Sequence, residues 1–555
     1  MTLHTRKFFV LLCAIVATAT QSNAQSISFG PYFGGVTDTS AQVMVRLTSA
    51  GRAIIEFSAS PQFSDTVFSI DDSANASNDF VIVRDLRPLQ PSREYYCRVW
   101  SGTVERSPVH HFTTFPAQGH DAPFRFTFGS CMYGPPHIGA IFPRMALDTF
   151  LFFMQDGDWK YPDIRVGVNF QSNDSLLNVA YRDKFDTTYP SHMILSEHAF
   201  DYVWDDHDCG ANNNDGAAPD KWKNRAAYRN RIPHYPLAND SAGIWHTFLC
   251  GNVRFIVCDL RSQRSPNAEA FDSTGKFNPP AGHSILAAFP VIGEDQRTWL
   301  LRTLRTSTAR WNVIVSSVPF MPAWKQAIAL ALLAHQPSAA LELADKWAGF
   351  PADIDSVENT VRVNNLKNIV VISGDVHNGA MDNGTHSFFP EVVAANLDIP
   401  NSQLYQTEKS LGYDFFSQGG QTDTLNTYGR ITVCTTPRQS LLLEIIDEGG
   451  KLVAQYTMED SSHISGVEAL KEGLPLTATI FPSPGHHGQR ATLSGVAPGS
   501  QVCVTDILGR AVFAVDATRT DGVVRLEGTS LVPGMYIVTI AHHGEMASRV
   551  LWPVE

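Results

Sequence analysis

The chain of 555 residues is too long for one hydrophobic core, so it reads as several domains, one of them large enough to enclose a catalytic cleft. A formal net charge of −13 without a dense Lys/Arg block argues against a stable nucleic-acid partner, while leaving nucleotides open as substrates. Beyond the N-terminal segment no stretch has the uninterrupted apolar length of a membrane helix; residues 327–334 are apolar but short, and read as one buried helical segment.

Residues 1–24 carry Arg6 and Lys7, an apolar run over 8–17, and Ser22-Asn23-Ala24 before Gln25. This is the pattern of a secretory signal peptide with a small-residue cleavage site, and it predicts a secreted or cell-surface protein. Without that segment the chain keeps Cys97, Cys131, Cys209, Cys250, Cys258, Cys434 and Cys503, an odd set for an oxidising compartment. At least one thiol is then unpaired, Cys131 being the candidate, and pairing among the others stays open. Residues 25–116 alternate apolar and polar positions in short runs separated by Gly, Pro, Ser and Asp, which predicts an immunoglobulin- or fibronectin-like N-terminal β-sandwich domain. A linker at 116–123 leads to residues 124–458, where apolar strands mix with helical stretches such as 296–304 and 322–344, as in an α/β domain. The long apolar segment 322–350 reads as a core helix in preference to a cover over a cleft. A polar, helix-like bridge at 467–473 precedes residues 477–555, predicted as a C-terminal β-sandwich domain. Its Phe481-Pro482-Ser483-Pro484, Asp506-Ile507-Leu508-Gly509-Arg510 and Pro533-Gly534-Met535-Tyr536 resemble the sorting domains of type IX secretion cargo. That resemblance implies secretion machinery as a partner and passage across an outer membrane.

The chemistry sits in the middle domain. Apolar runs there end in Gly129-Ser130-Cys131, in Asp156-Gly157-Asp158-Trp159-Lys160-Tyr161, in Asp205-Asp206-His207-Asp208 and in Ser373-Gly374-Asp375-Val376-His377. Sites in open α/β sheets gather at the carboxyl ends of strands, so these segments can meet in one crevice. Taken singly, Cys131 or Tyr161 is more often a core residue and a Gly-Asp pair more often a turn. Adjacent carboxylates in one short turn repel each other unless a cation or hydrogen-bond donors hold them, which makes the Asp205–Asp208 run specific. Thiolate, phenolate, carboxylate and imidazole together favour a harder trivalent or borderline metal, and oxygen-rich carboxylate sites favour calcium, magnesium or manganese.

In this order the four motifs resemble those of the PhoD-like alkaline phosphatases and phosphodiesterases, which share a calcineurin-like αββα-sandwich metallophosphoesterase domain and usually carry an N-terminal β-sandwich. Asp259-Leu260-Arg261, Gly293-X-X-Gln296-X-X-Trp299-Leu300, Asp345-Lys346-Trp347 and Pro390-Glu391 add to the match. The resemblance implies that Cys131, Asp158, Tyr161 and His377 hold an iron-like ion, Fe3+, with Asp158 bridging to a second, calcium-like site completed by Asp206 and Asp375; magnesium, manganese or zinc are alternatives at that second site. It also implies that His207 donates a hydrogen bond or a proton to the leaving oxygen. A phosphate-ester substrate needs cationic cover, expected from among Arg182, Arg225 and Arg261, because guanidinium binds phosphate bidentately. The implied reaction is hydrolysis of phosphate mono- or diesters by a metal-bound hydroxide. A non-catalytic surface binding or adhesion protein with a degenerate middle domain is the alternative. Met132, Asp156 and Asp208 depart from the family pattern, and Ser316-Ser317-Val318-Pro319 lacks the histidine that many two-metal phosphoesterases place there.

Overall fold

Runs such as FRFTFG, FFMQ and IVVIS are apolar on both faces, the pattern of parallel strands covered on both sides. The computed structural model describes residues 25–102, 105–133, 137–161, 170–460 and, beyond them, 479–482, 491–494, 500–506, 511–516, 523–526, 534–542 and 545–554. The chain divides into two compact units, 1–462 and 463–555. The signal segment 1–24, the bridge 467–473 and parts of the sorting motifs lie outside the described residues.

In the first unit the double-sided strands occupy the centres of two large sheets. The first holds, in spatial order, β21 (Leu452–Glu459), β20 (Ser440–Asp447), β19 (Thr427–Cys434), β9 (Phe124–Gly129), β10 (Phe152–Gln155), β11 (Ala199–Tyr202), β1 (Ile27–Gly34), β2 (Ala41–Leu47) and β5 (Val81–Leu86). Strands β9, β10, β11 and β1 are parallel neighbours. The second holds β12 (His246–Cys250), β13 (Val253–Val257), β14 (Trp311–Ser316), β15 (Ile369–Ser373), β17 (Pro390–Ala394), β16 (Gly379–Asn383) and β18 (Gly419–Gly420), with β13, β14, β15 and β17 parallel.

Alternation along the strands sorts the side chains into layers. Phe126 and Phe152 of the first sheet meet Phe255 of the second at ring separations of 5.0 and 5.3 Å, which puts an aromatic core between the sheets. On the second sheet Ile256, Ile314 and Val371 face the other way and cluster with Trp299, Leu300 and Leu304 of helix Gln296–Thr306 and with Ile354 and Val357 of helix Pro351–Val363. On the first sheet Phe200 turns outward to Phe185, which ends helix Asp174–Lys184.

Segment 25–116 is joined to these layers more closely than its alternation indicates. Strands β1, β2 and β5 extend the first large sheet, β1 lying parallel to β11 through Gly34 and Phe200. A side chain at Gly34 would sit 2.7 Å from the Phe200 carbonyl, so glycine permits the junction. The other strands of the segment, β3 (Gly51–Ser58), β4 (Phe68–Ala74), β6 (Glu94–Ser101), β7 (Glu105–Arg106) and β8 (His110–Thr113), form a separate antiparallel sheet. Cys97, Cys131, Cys209, Cys250, Cys258, Cys434 and Cys503 are all free thiols. No helix among the described residues is long and apolar enough to cross a membrane. The described strands of the second unit form two antiparallel sheets, one of β22 (Thr479–Pro482), β23 (Ala491–Ser494) and β26 (Val523–Leu526), the other of β25 (Ala511–Asp516), β24 (Ser500–Asp506), β27 (Gly534–His542) and β28 (Glu545–Val554) in that spatial order.

One buried carboxylate ties together the loop that follows β14 and the strands β15 and β17. Glu391 accepts from the Phe320 and Met321 amides at 2.8 and 3.1 Å and from the Ser373 hydroxyl at 2.8 Å. Replacing Glu391 with alanine leaves two buried N–H groups without acceptors and is expected to cost about 3 kcal/mol. Urea denaturation of Glu391→Ala beside Glu391→Gln measures it; equal stability of Glu391→Ala and wild type contradicts this role.

Candidate metal centre

The parallel strands of both sheets end at one place. Cys131 follows β9, Asp158 follows β10, Asp205, Asp206 and His207 follow β11, Ser317 follows β14, and Asp375 and His377 follow β15. The loops after β9 and β10 are zipped together: the Cys131 amide donates to the Gly157 carbonyl at 3.2 Å, and the Met132 amide to the Asp158 carbonyl at 3.1 Å. At Gly157, with φ of 120°, a Cβ would stand 2.7 Å from that of Asp205, so only glycine lets these loops approach.

Donor atoms of Cys131, Asp158 and His377 lie within 4.8 Å of one another, as do those of Asp158, Asp206 and His207 and those of Asp205, Asp206 and Asp375. The Tyr161 hydroxyl is 2.6 Å from His377 Nε2, and Cys131 Sγ is 3.7 Å from Asp158 Oδ2. These side chains are aimed by an unusual backbone: Cys131, Asp158, Tyr161, Asp375 and His377 all have left-handed φ, of 61°, 55°, 34°, 72° and 50°. A non-glycine residue there costs on the order of 1 kcal/mol each.

Electrostatics set the same requirement. Burial, then Asp206 and other neighbouring acids, push Asp158 well above the carboxylate range. Burial and Asp158 likewise push the Cys131 thiol and the Tyr161 phenol up. Burial also brings His377 down to about 4, which keeps its imidazole neutral and able to coordinate. The protein alone thus opposes the anionic forms of these donors, and a multivalent cation among them reverses the preference. Sulfur, phenol, carboxylate and imidazole donors fit an iron-like ion, so the residues present suit the metal that the motifs imply.

Asp206 is held differently: burial works to raise it, but Arg261 and His207 overcome this and keep it low. Its oxygens accept from the His207 amide at 2.9 Å and the Asn213 amide at 2.6 Å. The His207 ring packs 4.4 Å from that of Tyr161. Asp208 caps the helical turn Asp206–Cys209, accepting from the Asp205 and Trp159 amides and pairing with Lys184, so this departure from the family pattern serves to hold the turn. Asp156, the other acidic departure, is wholly buried; among the described residues neither of its side-chain oxygens has a hydrogen-bond partner, and burial raises it well above the carboxylate range.

The centre opens into a cleft of about 260 Å³ lined by Asp158, Asp206, His207, Lys346, Asp375 and His377, with Trp324, Leu343, Val376 and Leu404 as an apolar wall. A larger hollow of about 470 Å³ runs along β5 and takes in none of these residues. Trp324 and Leu343 come from helices Trp324–Leu333 and Pro337–Leu343, so segment 322–350 borders the cleft and is not only core. Its helix is not fully buried either: Leu330 and Leu333 are exposed among the described residues.

Of the expected phosphate-binding arginines, none lines the cleft. Arg182 points away from the centre, paired with Asp79, whereas Lys184 two positions later on the same helix faces it. Arg225 is partly buried on helix Lys221–Arg231 and is not among the residues that line the cleft. Arg261 is at the centre but fully buried, paired with Asp205 at 2.5 and 2.9 Å and with Asp345 at 3.0 Å. Among the described residues, the Lys or Arg that does line the cleft is Lys346, which forms an ion pair with Asp375. The Asp345-Lys346-Trp347 run was the available signal for it.

Solved structures that share this fold include the following two. The structure of PhoD aligns with a TM-score of 0.56 and 20% identity, covering 79% of this chain and 92% of that one. Purple acid phosphatase PPD1 of yellow lupin (Lupinus luteus) seeds aligns with a TM-score of 0.51 and 12% identity, covering 77% and 74%. The architecture is therefore that of these phosphatases. Residues 130–430 match the model of the PhoD-like phosphatase family, and the chain belongs to that family. Alkaline phosphatase D of Bacillus subtilis (strain 168) is 29% identical over 316 residues, 52% of each protein, so the chain spans about half the length of this curated relative.

Because Arg261 faces buried carboxylates on both sides, Arg261→Met is expected to lower stability by roughly 3–5 kcal/mol, whereas Arg182→Ala removes a partly exposed guanidinium from an Asp79 that keeps its pair with Arg46, and lowers it by less than about 1 kcal/mol. Guanidinium denaturation of both variants in chelator checks the contrast; similar losses contradict it.

Proposed function

We propose that the chain is a metal-dependent phosphoesterase that hydrolyses phosphate mono- or diesters, with Cys131, Asp158, Tyr161 and His377 holding an iron-like ion and Asp158, Asp206 and Asp375 facing a second cation. The observation that carries this reading is the convergence of sulfur, phenol, carboxylate and imidazole donors on strained left-handed backbone at the mouth of a cleft. When bound, such ions supply Lewis acidity toward a phosphoryl oxygen and acidify coordinated water.

The chain's own residues do the rest. Asp158 serves both halves, since its carboxylate lies near Cys131 Sγ on one side and accepts from the His207 amide at 3.3 Å on the other. His207 is partly exposed on the cleft wall, and its backbone is pinned to Asp158 and Asp206. That placement lets its ring donate to a phosphate oxygen or hand a proton to the departing alkoxide. The apolar wall of Trp324, Leu343, Val376 and Leu404 limits water around the leaving group. Export through residues 1–24, and sorting through the C-terminal unit by type IX machinery, belong to the same proposal and rest on the sequence motifs.

Asp158→Ala is expected to lower turnover of para-nitrophenyl phosphate and its bis-ester by more than about 10³-fold, with folding kept, because it removes the shared ligand. His207→Ala is expected to lose about 10²–10⁴-fold while keeping its metal content. Steady-state rates beside elemental mass spectrometry separate the two effects. Undiminished turnover in Asp158→Ala sinks the proposal, and removing metal by chelation is expected to stop turnover in the wild type.

A further inference from the structure

The two halves of the centre differ in how their negative charge is met by the protein itself. Around Cys131, Asp158 and Tyr161, no Lys or Arg ion pair is found among the described residues. Around the other half, Asp205, Asp206, Asp345 and Asp375 are all held by side-chain cations. Arg261 reaches Asp205 and Asp345, and lies 3.9 Å from Asp206 and 4.0 Å from Asp375. Arg264 is 3.0 Å from Asp345. Lys346 pairs with Asp375 and stands 3.4 Å from Asp345 and 4.0 Å from Glu342. Three buried carboxylates and the partly exposed Asp375 thus face three cations of the protein itself.

These cations are not equally fixed. Arg261 has its fork filled by carboxylates on both sides and has no exposed surface. Arg264 is equally buried, donating to Asn267 and to the Asp345 carbonyl. Lys346 instead lines the cleft, and its ammonium is a compact point charge on a flexible stem. The strand end beside it adds no nitrogen donor for a metal: Ser317, after β14, donates its hydroxyl to Asp205 at 2.7 Å.

Resting on the metal centre proposed above, we propose that Lys346 is the built-in cation of this second half. Its ammonium takes up the face of Asp375 that a second metal ion would use. The chain therefore keeps one firmly bound ion, in the Cys131 half, and a second divalent cation binds only in competition with Lys346. The same exchange frees the ammonium to meet a substrate phosphate in the cleft, which supplies the cationic cover expected of an arginine.

The test uses the full chain, with calcium as the probe. Resident metal is first counted by elemental mass spectrometry, and calcium binding is then followed by isothermal titration for wild type, Lys346→Met, Lys346→Gln and Lys346→Arg. Loss of the ammonium leaves Asp375 with only the more distant Arg261, 4.0 Å away, so calcium is expected to bind at least about tenfold more tightly to Lys346→Met and Lys346→Gln, and no more tightly to Lys346→Arg. Wild type is expected to retain one resident ion per chain after gel filtration. Unchanged calcium affinity in both neutral variants with the resident ion present overturns the role of Lys346 alone. Two firmly held ions in the wild type also overturn it, and a chain that takes up no ion in the Cys131 half overturns the centre on which it rests.

Discussion

Carboxylates crowded into a buried crevice repel one another, and the architecture around the centre is arranged to meet that repulsion. Asp158, Asp205, Asp206 and Asp208 come from two loops and are all buried. Lys184 reaches in to Asp208 from helix Asp174–Lys184, and Arg261 reaches in to Asp205 from the loop after β13. Asp345 completes the set from the segment behind the helical hairpin, where Arg261 and Arg264 overcome its burial and hold it strongly ionised. Breaking a buried pair of this kind leaves an uncompensated charge, which is why these partners are side chains locked from several sides. Among the described residues the Cys131 half has no such partner, and its donors are the ones that a bound cation must satisfy.

The fold supplies the rigidity that such a centre needs. Two sheets packed through Phe126, Phe152 and Phe255 hold the ends of their parallel strands where the donors that follow them converge. The left-handed residues at those ends then turn side chains toward a common point against their own backbone preference. Strain of this sort persists only where the surroundings over-determine it. The cross-links between the Cys131, Gly157 and Asp158 backbones and the missing side chain at Gly157 provide that constraint.

Much of this was legible in the sequence, for physical reasons that also mark where legibility stopped. Double-sided apolar strands ending in Cys131, Asp158, Asp206 and Asp375 announce an α/β sheet with a site at its carboxyl edge, because both signals are local. The arginines were harder, since a guanidinium reaches far and its destination depends on tertiary neighbours: Arg182 goes to Asp79, and Arg261 goes to a pair of aspartates beneath the cleft. Lys346 was visible as part of a motif, but nothing in its spacing said that it would meet Asp375. Alternation in residues 25–116 correctly indicated strands, yet a period of two cannot say which sheet a strand joins, and β1, β2 and β5 lie in the large one. Asp156 shows another limit, an acid whose surroundings the sequence leaves open and which the fold buries beside the centre.

The central claim is that Cys131, Asp158, Tyr161 and His377 enclose a metal ion. Anomalous X-ray diffraction at the iron edge, on crystals of protein purified without added metal, tests it most directly. A single strong peak between the Cys131 sulfur, the Tyr161 oxygen, His377 Nε2 and the Asp158 carboxylate is the predicted result. No peak at that position, even after crystals are soaked in iron, would contradict the account.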